Sequence, residues 1–144
     1  MPATINVNDK TVVHQGSSGI ATAFPDVCKT PTPAGPVPVP YPNVARSADT
    51  SQGSRTVAMD GNPIMLKGSV YATSTGDEAG SAGGVVSGVT KGKAEFLTYS
   101  FDVKVEGRNV CRLGDLMGQN IGGSLNIAGF PTIQPPLVLA DNGA

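Results

Sequence analysis

The 144-residue sequence is short of the groups that catalysis and metal binding draw on most often. It has one histidine, His14, and two cysteines, Cys28 and Cys111. Any Ser-His-Asp or Cys-His arrangement would have to use His14, whose neighbours Gln15 and Gly16 supply no orienting carboxylate. No GxSxG, HExxH or Walker phosphate loop occurs, and the Gly83-Gly84 and Gly122-Gly123 pairs lack the lysine a phosphate loop needs. Two cysteines do not make a disulfide framework, and in a reducing compartment they are thiols. Charge is scarce too: 15% of residues, with a net charge of −1, leave little field to attract a polyanion. No apolar run approaches the roughly 20 residues needed to span a bilayer. The start, Met1-Pro-Ala-Thr-Ile-Asn6, lacks the basic and apolar regions of a signal peptide. These absences predict a protein that is not an enzyme, has no nucleic-acid partner and no stable membrane insertion, and is cytoplasmic at first. Export by a route without a cleaved signal stays open.

What the chain does have is turn-forming residues. Nineteen glycines and 12 prolines make up more than a fifth of it. Low charge and a mean hydropathy near zero argue against a charged disordered chain. A packed all-β domain of many short strands fits both facts, and long helices do not. One domain over residues 1–144 is expected from length.

Three thirteen-residue segments align without gaps, over residues 5–17, 57–69 and 103–115. Their first positions are Ile5, Val57 and Val103, and their third are Val7, Met59 and Val105, an alternation that predicts a half-buried strand. The fourth and fifth, Asn8-Asp9, Asp60-Gly61 and Glu106-Gly107, suit tight turns. An apolar pair follows at the eighth and ninth: Val12-Val13, Ile64-Met65 and Val110-Cys111. The twelfth is Gly16, Gly68 or Gly114. Each segment therefore reads as strand, tight turn, strand and glycine bend, with Val7, Val12, Met59, Ile64, Val105 and Val110 as an apolar core.

Between the first two copies, residues 30–43 carry Pro31, Pro33, Pro36, Pro38, Pro40 and Pro42. Proline fixes φ and removes a donor, so this tract is expected to run extended, as polyproline II or an edge strand. It is either a stiff connector over the domain or a docking ridge that presents Val37, Val39 and Tyr41 to a partner. Between the second and third copies, residues 75–92 are small and glycine-rich. Thr75-Gly-Asp-Glu78 matches a capping box, but Gly80, Gly83, Gly84 and Gly88 weaken a helix there. A short helix, with Asp77 and Glu78 as solvated charges at its start, and a loop over one face are both open. Lys91 to Phe101 returns to strand-like residues. Residues 121–144 read as an extended C-terminal segment, since Pro131 and Pro135-Pro136 exclude a regular helix through it.

His14, Cys28 and Cys111 are three possible zinc ligands, one short of a closed tetrahedral site unless a carboxylate or water joins them. Cys111 occupies a repeat position held elsewhere by Val13 and Met65, so it reads as a buried apolar thiol. His14 and Cys28 are the candidate metal pair. A core of this size does not require a metal staple, so no cofactor is expected, with zinc as the open alternative.

The stretch from Ala23 to Asn43, with its Pro-Val-Pro-Val-Pro-Tyr-Pro run, resembles the hallmark of PAAR-like proteins of type VI secretion. The likeness continues through Met59 to Lys67, Ser74 to Gly80, Lys91 to Phe96 and Val105 to Val110. It implies a small cone or prism of short strands and hairpins with pseudo-threefold repeats and at most one short helix. It further implies a structural tip that caps a trimeric VgrG-type spike, one tip per trimer, and links an effector or toxin protein to it. Export would then run through the injection apparatus without a signal peptide. A stand-alone effector adaptor and a small toxin or hydrolase are the alternatives. Classical relatives hold zinc near the apex with three histidines and one cysteine; here there is one histidine, and Gln119 stands where a histidine is expected. Only about 24 residues follow Asn120, so a fused toxin is not expected.

Overall fold

The computed structural model describes residues 3–122 and 124–135. Among them every regular element is a strand except one 3-10 turn, Ser47–Asp49. The three repeats form three hairpins, which pair Asn6–Val7 with Lys10–Thr11, Ala58–Met59 with Asn62–Pro63, and Lys104–Val105 with Arg108–Asn109. The two turn residues of each hairpin lie at positive φ: 54° and 65° at Asn8-Asp9, 52° and 78° at Asp60-Gly61, and 55° and 80° at Glu106-Gly107. That is the geometry of the I′ turn, whose twist matches that of the strands it joins.

The hairpins close on one another in a cycle. Val12 bridges Arg112, Ile64 bridges His14, and Val110 bridges Leu66, so the eighth position of each repeat meets the tenth of a neighbour. At the ninth position, Val13 N–H donates to Cys111 O (3.1 Å), Cys111 N–H to Met65 O (3.1 Å) and Met65 N–H to Val13 O (2.8 Å). The eleventh positions repeat the pattern, from Gln15 N–H to Pro63 O, Lys67 N–H to Asn109 O and Leu113 N–H to Thr11 O. Three short strands thus satisfy one another's backbone groups with no free edge between them. This is a pseudo-threefold prism made by one chain.

Each repeat then turns sharply. The thirteenth residue donates its N–H to the tenth carbonyl in all three copies. Its side chain accepts from the tenth N–H: His14 to Ser17, Leu66 to Ser69 and Arg112 to Asp115. Gly68 and Gly114 make this bend at φ of 92° and 86°. Alternation divides the core into two layers. Val12, Ile64 and Val110 pack with Val7 and Leu66. Val13, Met65 and Cys111 face the other way, onto Ala21, Ala45, Tyr71, Ala94, Phe96 and Met117.

The second layer belongs to an antiparallel sheet that runs in the order Thr50–Ser51, Val70–Tyr71, Lys93–Phe96, Leu116–Ile121, Ile127–Ile133, Ile20–Thr30, Val37–Arg46 and Ser74–Thr75. The proline tract is the strand Val37–Arg46, paired with Ile20–Thr30 from Thr30↔Val37 to Ile20↔Arg46. On its far side it pairs only at Val44↔Thr75 and Ala45↔Ser74, so its proline half is an edge. Alternate residues of a strand direct their N–H groups to one side, so Pro38, Pro40 and Pro42 leave that edge without donors and resistant to strand addition.

Residues 75–92 form turns and the short strand Gly83–Gly84, which pairs with Cys28 and Lys29; the loop reading holds there and the helix does not. Asp77 is buried rather than solvated. Of the expected extended C-terminal segment, Ile127–Ile133 is a strand, and residues 136–144 lie outside the described residues.

Candidate functional site

The prism builds a ring of polar clasps from its turn residues. The fourth position of each repeat grips the residue just before a neighbouring repeat. Asn8 Nδ2 donates to Asp102 Oδ1 at 3.2 Å. Asp60 accepts from Thr4 N–H at 2.9 Å and from the Thr4 hydroxyl. Glu106 accepts from Thr56 N–H (2.7 Å), the Thr56 hydroxyl (2.8 Å), Arg55 N–H (2.9 Å) and Val57 N–H (3.1 Å). These donors favour the charged form. The Thr56 and Arg55 amides hold Glu106 at about 2. The Thr4 hydroxyl and amide lower Asp60, and Asn8 and Ser100 lower Asp102.

His14 is buried beside this ring. Gly16 N–H donates to its Nδ1 at 3.1 Å, which leaves Nε2 to donate to Asp60 Oδ2 at 3.2 Å. Both ring nitrogens are therefore engaged within the prism. Gln119 is buried and its amide donates to Ala21 O at 2.7 Å. One histidine bound in this way and a glutamine tied to backbone do not fit the three-histidine, one-cysteine zinc set of classical relatives. Cys111 lies in the apolar layer, and burial pushes its thiol up.

Cys28 has a different setting from His14. Asp26 and Cys28 are two apart on one strand, so their side chains share a face. Asp77 comes to the same place from the turn after Gly76. That turn passes so close to the proline strand that a Cβ on Gly76 would lie 2.2 Å from Pro42 O, and a Cβ on Gly80 would lie 2.4 Å from Cys28 Cβ. Cys28 Sγ is 3.8 Å from Asp26 Oδ1 and 3.8 Å from Asp77 Oδ2, and all three residues are buried. Asn120 Nδ2 points to Asp26 Oδ1 (3.3 Å) and Cys28 Sγ (3.6 Å), Asn126 Nδ2 donates to Asp26 Oδ1, and Lys91 N–H donates to Asp77 Oδ1 at 3.0 Å. Burial, then the charges of Asp26 and Asp77, push the Cys28 thiol up to about 12. Burial, with Asp26 beside it, also raises Asp77. The sequence singles out Cys28, presents Asp77 as a solvated charge and gives no role to Asp26. The Asp-x-Cys spacing in a strand was the available signal for Asp26; nothing local marked Asp77.

Of the residues expected to meet a partner, Val37 is 43% exposed, while Val39 and Tyr41 are half-buried. The Tyr41 hydroxyl is bonded to Thr30 Oγ1 at 2.6 Å, so Tyr41 closes the hairpin. The outward ridge is Pro38, Pro40 and Pro42. A groove of about 530 Å³ lies elsewhere, lined by Ile20, Thr22, Pro131 and Ile133. Among the described residues no helix is long and apolar enough to cross a membrane.

Comparison with known proteins places these features in a family. Residues 19–128 match the toxin PAAR-like domain. The DNase toxin Tse7 of Pseudomonas aeruginosa is 48% identical over 128 residues, covering 83% of this chain and 33% of the relative. The chain thus spans about a third of the length of the curated relative it matches. No solved structure matches. The relative overturns two expectations, that the protein is not an enzyme and that it has no nucleic-acid partner, because it is named a DNase toxin. Both rested on the titratable groups and net charge of these 144 residues, which match only 33% of the relative. The expectation of no fused toxin, taken from where the sequence stops, has no force beside such a relative.

Proposed function

The chain belongs to the toxin PAAR-like domain family, and on that premise we propose that it seats a DNA-degrading effector of type VI secretion on the spike. In this reading the prism caps the blunt end of a trimeric VgrG-type spike, one copy per trimer, and the effector leaves the cell with the spike. The observation that carries it is the cyclic register of the three repeats. A homotrimer presents three identical surfaces around an axis, and a single chain can satisfy all three only if it repeats itself about the same axis. A threefold prism from one polypeptide has that property. The prolines leave the outer edge of their strand without donors, so contact there would be apolar packing rather than strand addition, with exposed Val37 as its anchor. The likeness to a DNase toxin makes DNA the proposed target of the whole effector.

Co-purification with a spike trimer tests the docking. Wild-type chain is expected to co-elute with the trimer. Val37→Ser should weaken the complex and lower the melting temperature of the free chain by only a few degrees, because Val37 is 43% exposed. Elution of wild-type chain and intact trimer as separate species would refute the proposal. Incubation of plasmid DNA with the full-length effector tests the target separately: cleavage is expected, and intact DNA under conditions that support related nucleases would remove the DNase part alone.

A further inference from the structure

Asp26, Cys28 and Asp77 each place one ligand atom in a common space, all within 4.8 Å of one another, and all three residues are buried. Two carboxylates and a thiol gathered out of water repel one another and lose hydration, so they either retain protons or take up a cation in their place. Among the described residues no lysine or arginine makes an ion pair with the cluster; the ion pairs are His14–Asp60 and Arg112–Asp115. Lys91 approaches, but with its backbone N–H. Asn120 and Asn126 serve Asp26 Oδ1, while Asp26 Oδ2 is buried and has no N–H or hydroxyl donor; Asp77 bonds to the Asp26 carboxylate only when it carries a proton. That orphaned oxygen is a second observation, separate from the clustering, that points to a ligand.

We propose that this cluster is a binding site for a zinc-like divalent cation, held by Cys28 Sγ and one carboxylate oxygen from each of Asp26 and Asp77. The spacing fits. Zinc–sulfur and zinc–oxygen bonds of about 2.3 and 2.1 Å at a tetrahedral angle separate the sulfur and oxygen by about 3.6 Å, and the two observed separations are 3.8 Å. A thiolate among the ligands selects zinc over magnesium or calcium, which take oxygen alone. On binding, the Cys28 thiol gives up its proton to solvent, and so does Asp77 in the chains where it is protonated. The Val89 carbonyl and the Gly92 amide orient the Asn120 side chain so that its NH₂ faces the cluster. It therefore serves as a donor to the ligands, the usual work of outer partners, and a water completes the tetrahedron. The ion would tie the Asp77–Gly80 turn to the strand that holds the proline hairpin. The site is independent of spike docking, and it pairs Cys28 with two aspartates instead of His14.

Cobalt(II) titration of metal-stripped full chain at neutral pH tests this, since cobalt occupies zinc sites and reports a thiolate ligand by a charge-transfer band in the near ultraviolet. The expected result is one equivalent bound, a band that saturates, and its loss on addition of zinc. Cys28→Ser should abolish the band. Asp77→Asn should weaken binding by at least the roughly 10–100-fold that removing an outer partner alone can cost. Cys111→Ser and His14→Ala should keep the band. Because the wild-type titration needs no variant to fold, it decides alone whether a thiolate site exists. No saturable band in wild type, or a band that survives Cys28→Ser in folded protein or disappears with Cys111→Ser or His14→Ala in folded protein, would overturn the assignment.

Discussion

Ile64 is the largest side chain in the inner layer of the prism that solvent does not reach at all, alongside Leu66. Replacing it with alanine removes three carbons. At about 0.8 kcal/mol per buried methylene, transfer alone costs about 2.4 kcal/mol. Incomplete collapse around the vacated space raises the total to about 3–4 kcal/mol. For a chain near 150 residues that corresponds to a fall in melting temperature of about 10 °C. The threefold arrangement sharpens the test. Val12 and Val110 are 98 positions apart in sequence, yet both are buried in the same layer at the same repeat position. Val12→Ala and Val110→Ala each remove two carbons, so each should cost about 2 kcal/mol, and the two should agree within about 0.5 kcal/mol. Urea unfolding followed by circular dichroism, with m unchanged between variants, gives these differences. Val57→Ala, at a 37% exposed site, is the control and should cost under about 1 kcal/mol. A closed core around Ile64 is refuted if Ile64→Ala costs no more than Val57→Ala. It is refuted too if Val12→Ala and Val110→Ala differ by more than about 1.5 kcal/mol, since related positions would then not share one closed core.

Acid should loosen the clasp ring. Glu106 is held below its ordinary 4.5, at about 2, by the Thr56 and Arg55 amides, so its contribution is complete above 4.5 and is lost as pH falls toward 2. Melting temperature followed from pH 6 to pH 2 should drop through that window, and Glu106→Gln should flatten this part of the profile; an unchanged profile in the variant would assign the loss to other carboxylates. Glycines at turns should divide into two classes. Gly107→Ala meets open space and costs only the left-handed backbone, about 1–2 kcal/mol. Gly76→Ala, at φ of 128° and with its Cβ 2.2 Å from Pro42 O, should cost well above about 3 kcal/mol or prevent folding. Equal melting temperatures for these two variants would mean that the 76–80 turn does not lie against the proline strand.

The parts of the fold that were legible in the sequence are those decided by neighbours along the chain. A type I′ turn needs two residues that tolerate positive φ, and Asn8-Asp9, Asp60-Gly61 and Glu106-Gly107 announce it three times at one spacing. Alternation around those turns marks which side chains enter the core, and Val12, Ile64 and Val110 do so. The prolines likewise predict an extended edge, because the missing donors act locally. Closure of the ring was not legible. It depends on backbone bonds such as Val13 to Cys111, across nearly a hundred residues, and one strand carries no sign of which partner it will meet. The role of the thirteenth position was present, as Ser17, Ser69 and Asp115, but those residues differ in type and hide a shared hydrogen bond. Asp77 looked like a solvated acid because a buried carboxylate is recognised by what surrounds it. Its surroundings are Cys28 and Asp26, some fifty positions earlier. Tyr41 looked like a ridge residue by alternation alone, and only the Gly80 turn laid against it shows that it faces inward. A nuclease reading has no signal among these residues and rests on the name of the relative.

Spike capping by one pseudo-threefold chain requires that this chain satisfy three identical surfaces at once. Native mass measurement of the complex formed with a VgrG-type trimer, over a range of input ratios, tests it most directly. The expected result is a single species of one chain per trimer that does not gain further copies when the chain is in excess. Three chains per trimer, or no complex with an intact trimer, would contradict it.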